Sequence, residues 1–177
     1  MKKKLFIIGG ILVGAMAMIW LFGLYPVARV NGDFIMHRAY SGRVKALESF
    51  EEKNRLLAGG SVLTEEEKNT LRQIILQSIL TERVFQQYVA EHTALQGIEE
   101  SAHIVVERTL KDADPDVLPQ ATKEVYGWSV DEFMENVLYP QAFQNELQKA
   151  IEADGTPFET FAKSQLENAE ISLYAVS

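Results

Sequence analysis

Hydrophobic and polar positions change rhythm several times along this chain. Leu5 to Tyr25 is an unbroken uncharged run, and about 20 apolar residues in a helix span the hydrocarbon core of a bilayer. Val27 to Ile35 then reads as a short β-type run around Asn31-Gly32, the dipeptide that favours a two-residue hairpin turn. From Ser41 to Leu57, Val44, Leu47, Phe50 and Leu57 recur at helical steps, which predicts an amphipathic helix ended by Ala58-Gly59-Gly60-Ser61. Thr64-Glu65-Glu66-Glu67 opens the longest helix: Thr64 caps, Glu67 reaches back, and the three glutamates sit at the positive end of the helix dipole. Its apolar face, Leu71, Ile74, Ile75, Ser78, Ile79, Glu82, Phe85 and Val89, carries an acidic interruption at Glu82 and should run to about His92.

A weaker helix is expected over Ile98 to Leu110. Asp114-Pro115 predicts an N-cap and first-turn proline for a short helix to about Val125, with Gly127 closing it. Ser129-Val130-Asp131-Glu132 is a second capping box. It opens a helix striped by Val130, Phe133, Met134, Val137, Leu138, Leu147 and Ile151, which Pro140 should kink at Tyr139-Pro140. Thr156-Pro157-Phe158-Glu159 supplies cap, N1 proline and N3 glutamate for a last helix. Ile171 to Val176 alternates with period two and should be a strand. A lone edge strand is an aggregation hazard, so Glu170–Val176 is expected to pair with Val27–Val30.

The ends of the chain set its organisation. Lys2, Lys3 and Lys4 bias the N-terminus to the cytoplasm, and Trp20 and Tyr25 stand where interfacial aromatics are expected. Residues 1–26 therefore read as a cytoplasmic stub and transmembrane signal anchor, with the rest outside the cytoplasm on the periplasmic or cell-surface side. A cleaved signal peptide is the rival, since Ala15-Met16-Ala17 has the small-x-small pattern. Cutting there would leave Met18 to Tyr25 as an apolar tail, and the run is longer than a signal h-region. The remainder divides into a helical domain over 27–154 and a short helix plus strand over 155–177. About 150 residues suffice for one core, and with no cysteine in the chain neither disulfides nor a lipidated cysteine enter. Beyond the anchor lysines, 14 basic residues face 25 acidic ones, a net charge near −11, which argues against nucleic acid or an anionic lipid surface as a partner for this part.

Candidate chemistry is sparse. His37, His92 and His103 lack the spacing of a metal pair. His37 and His92 read as solvated, and His103, beside Ile104-Val105-Val106, as a half-buried helix residue. Neither a Gly-x-Ser-x-Gly elbow nor a phosphate loop nor a dinucleotide fingerprint occurs, so neither catalysis nor a cofactor is expected. The aromatic content is more informative. Trp128, Phe133, Met134, Tyr139 and Phe143 fall within 16 positions, with Tyr139 and Phe143 off the main stripe at the proline bend. Exposed aromatics and methionine there would suit a surface that binds extended apolar segments of varied sequence; packing against neighbouring helices is the other reading.

Several segments share a pattern. Ala28-Arg29-Val30-Asn31-Gly32-Asp33-Phe34-Ile35 resembles the "A-x-V-N-G-x-x-I" opening of the SurA N-terminal domain family of extracytoplasmic chaperones. Leu71 to Val84 is similar to that family's long helix. Tyr126-Gly127-Trp128-Ser129-Val130-Asp131-Glu132-Phe133 with Tyr139-Pro140-Gln141 resembles its "Y-G-W-S-x-E-E-F … x-P-Q" segment. The resemblance covers Val27 to Ile151. Together with the pairing of the chain ends read above, it implies a mainly α protein: a transmembrane helix, then a SurA N-terminal-like multi-helix domain with a small two-stranded β element formed by the chain's two ends. It also implies an ATP-independent, non-catalytic chaperone for unfolded or nascent exported polypeptides, held at the membrane by its N-terminal helix. In isomerase members a parvulin domain follows. Here Phe158 to Ser164 resembles only one parvulin helix, and the glycine-rich segment and later strands are missing, so prolyl isomerase activity is not expected. An adaptor or structural subunit that holds one specific partner protein at the membrane is the alternative function, and a degenerate peptidyl-prolyl isomerase ranks behind it.

Overall fold

The computed structural model describes residues 22–174. The predicted membrane span falls almost wholly on residues 1–21, outside the described part. Among the described residues no helix is long and apolar enough to cross a membrane, and the segment from Phe22 to Tyr25, expected to end the span, is a turn.

The described chain is mainly helical with a small antiparallel sheet. Its elements are β1 (Pro26–Val30), β2 (Asp33–Met36), α1 (His37–Leu57), α2 (Glu65–Glu91), α3 (Gly97–Asp112), α4 (Leu118–Tyr126), α5 (Val130–Phe133), a π turn (Met134–Leu138), α6 (Tyr139–Ala153), α7 (Phe158–Asn168) and β3 (Ile171–Leu173). They divide into two compact units. The first reaches to Gly42 and takes in the chain from Glu170 onward; the second is Arg43–Ala169.

In the first unit the strand order is β2-β1-β3. The sheet therefore has three strands, where a two-stranded element from the chain ends was expected. The hairpin arm over Asp33–Met36 is long enough to stay paired on β1's other edge, with Arg29 opposite Phe34. Asn31 and Gly32 both take positive φ, 45° and 101°, the conformation a type I′ turn requires. The predicted pairing of the two chain ends is present: Ala28, Arg29 and Val30 face Leu173, Ser172 and Ile171. The Asn31 side chain and backbone close it, accepting from the Glu170 N–H (2.7 Å) and donating to the Glu170 carbonyl (2.9 Å). Helix α1 begins at His37, four residues before the periodicity begins. The carbonyls of Tyr25 and Gly23 accept the His37 and Arg38 N–H groups, so a preceding turn satisfies donors that a sequence window leaves orphaned.

In the second unit both capping boxes form as read. Thr64 accepts the Glu67 N–H while the Glu67 carboxylate takes the Thr64 N–H, and Ser129 and Glu132 repeat the arrangement. Two helix starts differ from expectation. Asp114 does not cap a helix at Pro115; its carboxylate accepts the Asp116 N–H (2.9 Å) in a local turn, and α4 begins at Leu118. Pro157 lies one position outside its helix at ψ 130°, so it precedes α7 and its carbonyl accepts the Phe161 N–H. At Pro140 the expected kink takes the form of a π turn: the Tyr139 N–H reaches back to the Met134 carbonyl. That wider turn gives the proline ring room against the carbonyl it would strike in a regular helix. The core of this unit is drawn from α2 (Ile75, Val84, Phe85, Val89), α3 (Ala102, Val106) and α6 (Phe143, Leu147, Ile151), with Phe161 from α7.

Candidate functional site

A cleft of about 590 Å³ runs between α2 and the chain from the π turn into α6. Its α2 wall presents Ile74, Ser78, Glu82 and Phe85, the same helical face read from the sequence, with Gln77 and Thr81 beside them. The opposite wall is Asn136, Val137, Pro140, Gln141, Phe143 and Gln144. The π turn matters here because two of its residues, Asn136 and Val137, belong to the lining. A second hollow of about 200 Å³ shares Ile74, Ser78, Asn136 and Val137 and continues to Leu47, Tyr126 and Trp128. The lining thus mixes apolar side chains with amides and the two hydroxyls of Ser78 and Thr81, groups that can pack against side chains and hydrogen-bond a backbone.

Charge is fixed at one place. Arg43 grips Glu82 through its two terminal guanidinium nitrogens, at 2.6 and 3.3 Å, and its Nε donates to Asn136 Oδ1 at 3.0 Å. Both partners are less than one-fifth exposed. A two-point ion pair of this geometry is stronger than a point contact. The acidic interruption on α2 is therefore answered by an arginine that ties α1, α2 and the π turn together at the cleft.

The five aromatic and methionine candidates do not form one exposed surface. Phe143 is only 2 % exposed: it is a core residue whose ring also floors the cleft, which corrects the expectation of an exposed aromatic off the stripe. Tyr139 is half-buried between His103 (4.5 Å between rings) and Phe143 (6.2 Å). Burial first, then the charges of Glu99 and Glu82, push its phenol above the ordinary value, so it stays protonated at neutral pH. Trp128 and Phe133 belong to a separate cluster around Tyr126, which stacks on Trp128 and on Phe50. Met134 is half-buried at the start of the π turn. Of the five, Trp128 and Phe143 line the hollows.

Two of the histidines, His37 and His103, differ from their reading, while His92 is exposed as expected. His103 is exposed rather than half-buried. His92 stacks on Tyr88 at 3.9 Å, and in the first unit His37 is partly buried, stacked on Tyr25 at 4.6 Å. Among the described residues no group of three or more His, Cys, Asp or Glu is placed to hold a metal ion. Sequence reading missed Arg43, Asn136, Gln141 and Gln144. The signal that existed was polar residues in phase with an apolar stripe, Ser78 and Glu82 one turn apart. Comparison with protein-family models, with curated proteins and with solved structures finds no match for this chain.

Proposed function

We propose that this protein is a membrane-anchored extracytoplasmic chaperone-like protein that holds unfolded or exported polypeptide segments without ATP and without catalysis. The observation that carries the reading is the cleft between α2 and α6, walled by apolar side chains and neutral amides. Such a lining accepts an extended segment by its backbone and by whichever apolar side chains it carries, so recognition is tolerant of sequence. Support also comes from the pattern shared with the SurA N-terminal domain family and from the uncharged run at 5–25 behind three lysines.

Ile74 is the test position, because it lines both hollows and is 55 % exposed. The full chain in phospholipid nanodiscs should suppress the aggregation of a chemically unfolded model protein, followed by light scattering. Ile74→Glu should abolish most of that suppression while leaving the unfolding transition in place. Equal suppression by both proteins would remove the cleft from the function. The pinned Arg43–Glu82–Asn136 wall favours a second reading, an adaptor that seats one dedicated partner. Recovery of one stoichiometric partner after cross-linking at the cleft, in place of a mixture of exported proteins, would select it.

A further inference from the structure

We infer that the first unit rests its exposed sheet face in the interfacial zone of a phospholipid bilayer. Half of the large hydrophobic side chains exposed among the described residues belong to this small unit, Phe22, Leu24, Phe34, Met36, Leu173 and Tyr174 among them. Singly scattered exposed hydrophobics are ordinary, whereas a concentration in one place marks an interaction surface. The pairing puts two of them, Phe34 and Met36, on one face of the sheet, whereas Leu173 pairs with Ala28 and belongs to the other. Ala28, Val30 and Ile35 point to the buried side of the sheet, so Phe34 and Met36 alternate onto the opposite face beside Arg29. The Arg29 guanidinium lies 5.8 Å from the centre of the Phe34 ring. An aromatic with a cation beside it is a pair suited to the level of lipid headgroups, where the ring meets the acyl boundary and the cation meets phosphate.

Two further observations select a bilayer as the occupant. The chain enters this unit at Phe22 directly from the uncharged run that starts at Leu5, and no slack linker intervenes. The Gly23 and Tyr25 carbonyls are already hydrogen-bonded to Arg38 and His37. With the uncharged run reading on to Tyr25 and β1 beginning at Pro26, an anchor formed by that run would leave β1 next to the bilayer surface. Charge agrees. Arg29 and Arg38 balance Asp33 and Glu170, so the described part of this unit is neutral, while the net −11 of the exterior chain resides in Arg43–Ala169. The neutral unit meets no repulsion from an anionic leaflet.

The inference rests on the reading of residues 5–25 as a membrane anchor, and the two can fail separately. The chain has no cysteine, so Phe34→Cys, Met36→Cys and, as a control on an exposed helix position, Lys163→Cys each give one labelling site. Each full-length variant, with helical circular dichroism intact, would carry an environment-sensitive fluorophore and be mixed into vesicles of phosphatidylcholine and phosphatidylglycerol. Blue-shifted emission at 34 and 36, quenched severalfold more than at 163 by a nitroxide on the lipid chain, is the expected result. Emission at 34 and 36 as aqueous as at 163 overturns the inference, however tightly the chain is held. Alkaline carbonate extraction reports the anchor independently. Release by carbonate together with protected labels at 34 and 36 would discard the anchor and leave the sheet as a peripheral membrane contact.

Discussion

Phe143 and Ile74 face one cleft and should answer mutation in opposite ways. Phe143 is nearly inaccessible in the core against α6's neighbours, and deleting a buried phenyl costs about 3–5 kcal/mol through lost transfer energy and the cavity left behind. Phe143→Ala should therefore lower the urea midpoint steeply, and any loss of client holding in that variant would report unfolding. The Arg43–Glu82 pair tests a second point. Removing one partner leaves the other with little water and no counter-charge, so Arg43→Ala or Glu82→Ala should each cost about 1–3 kcal/mol, the lower part of that range being favoured by the residual exposure. The double variant should cost less than the two singles added, because the uncompensated charge is gone. Strict additivity in chemical denaturation would mean that the pair is solvated independently and does not hold the π turn.

Capping is where element and residue meet, and it can be read by pH. The Thr64 backbone N–H first, then the Arg55 guanidinium and the Thr64 hydroxyl, hold the Glu67 carboxyl down to about 2 from an ordinary 4.5. A carboxylate with a depressed folded value stabilises the fold above its ordinary value, and that contribution fades as pH falls from about 4.5 towards 2. Thr64→Ala should cost about 1 kcal/mol at neutral pH, as N-cap losses do. Its deficit against the parent should shrink across that acidic window, measured by urea unfolding at a series of pH values. A deficit independent of pH would leave only the hydroxyl cap in play. These boxes were legible because cap, acid and apolar stripe lie within one turn of each other. The starts of α1 and α4 were not, because the first depends on carbonyls of the Gly23–Tyr25 turn and the second on a turn Asp114 makes with its own neighbours. Asn31-Gly32 and the alternation at Ile171 were enough to place β1 against β3, yet not to show that β2 completes the sheet. The helices that wall the cleft, from Thr64 to His92 and from Ser129 onward, were legible as amphipathic elements. The cleft's lining was not, since the π turn to which Asn136 and Val137 belong is a response of the whole helix to Pro140.

At the scale of the molecule the charge distribution acts on whatever the cleft receives. The second unit carries a net −11 while its cleft lining holds one acid, Glu82, already neutralised by Arg43. The field around the cleft is therefore negative and its floor is not, so charge should govern approach more than residence. Long-range attraction speeds the encounter of oppositely charged partners and is screened over about 8 Å at physiological ionic strength. An unfolded client of net positive charge should associate fast at low salt and several-fold more slowly as salt is raised, with its dissociation rate nearly constant. An acidic client should show the reverse trend in association, because salt removes a repulsion. Stopped-flow mixing of the full chain in nanodiscs with two fluorescent unfolded clients, equal in length and opposite in charge, separates the two effects. Salt acting mainly on dissociation would instead place an unsatisfied charge inside the bound complex, and the neutral amides of Gln77, Gln141 and Gln144 would then not be what holds the client.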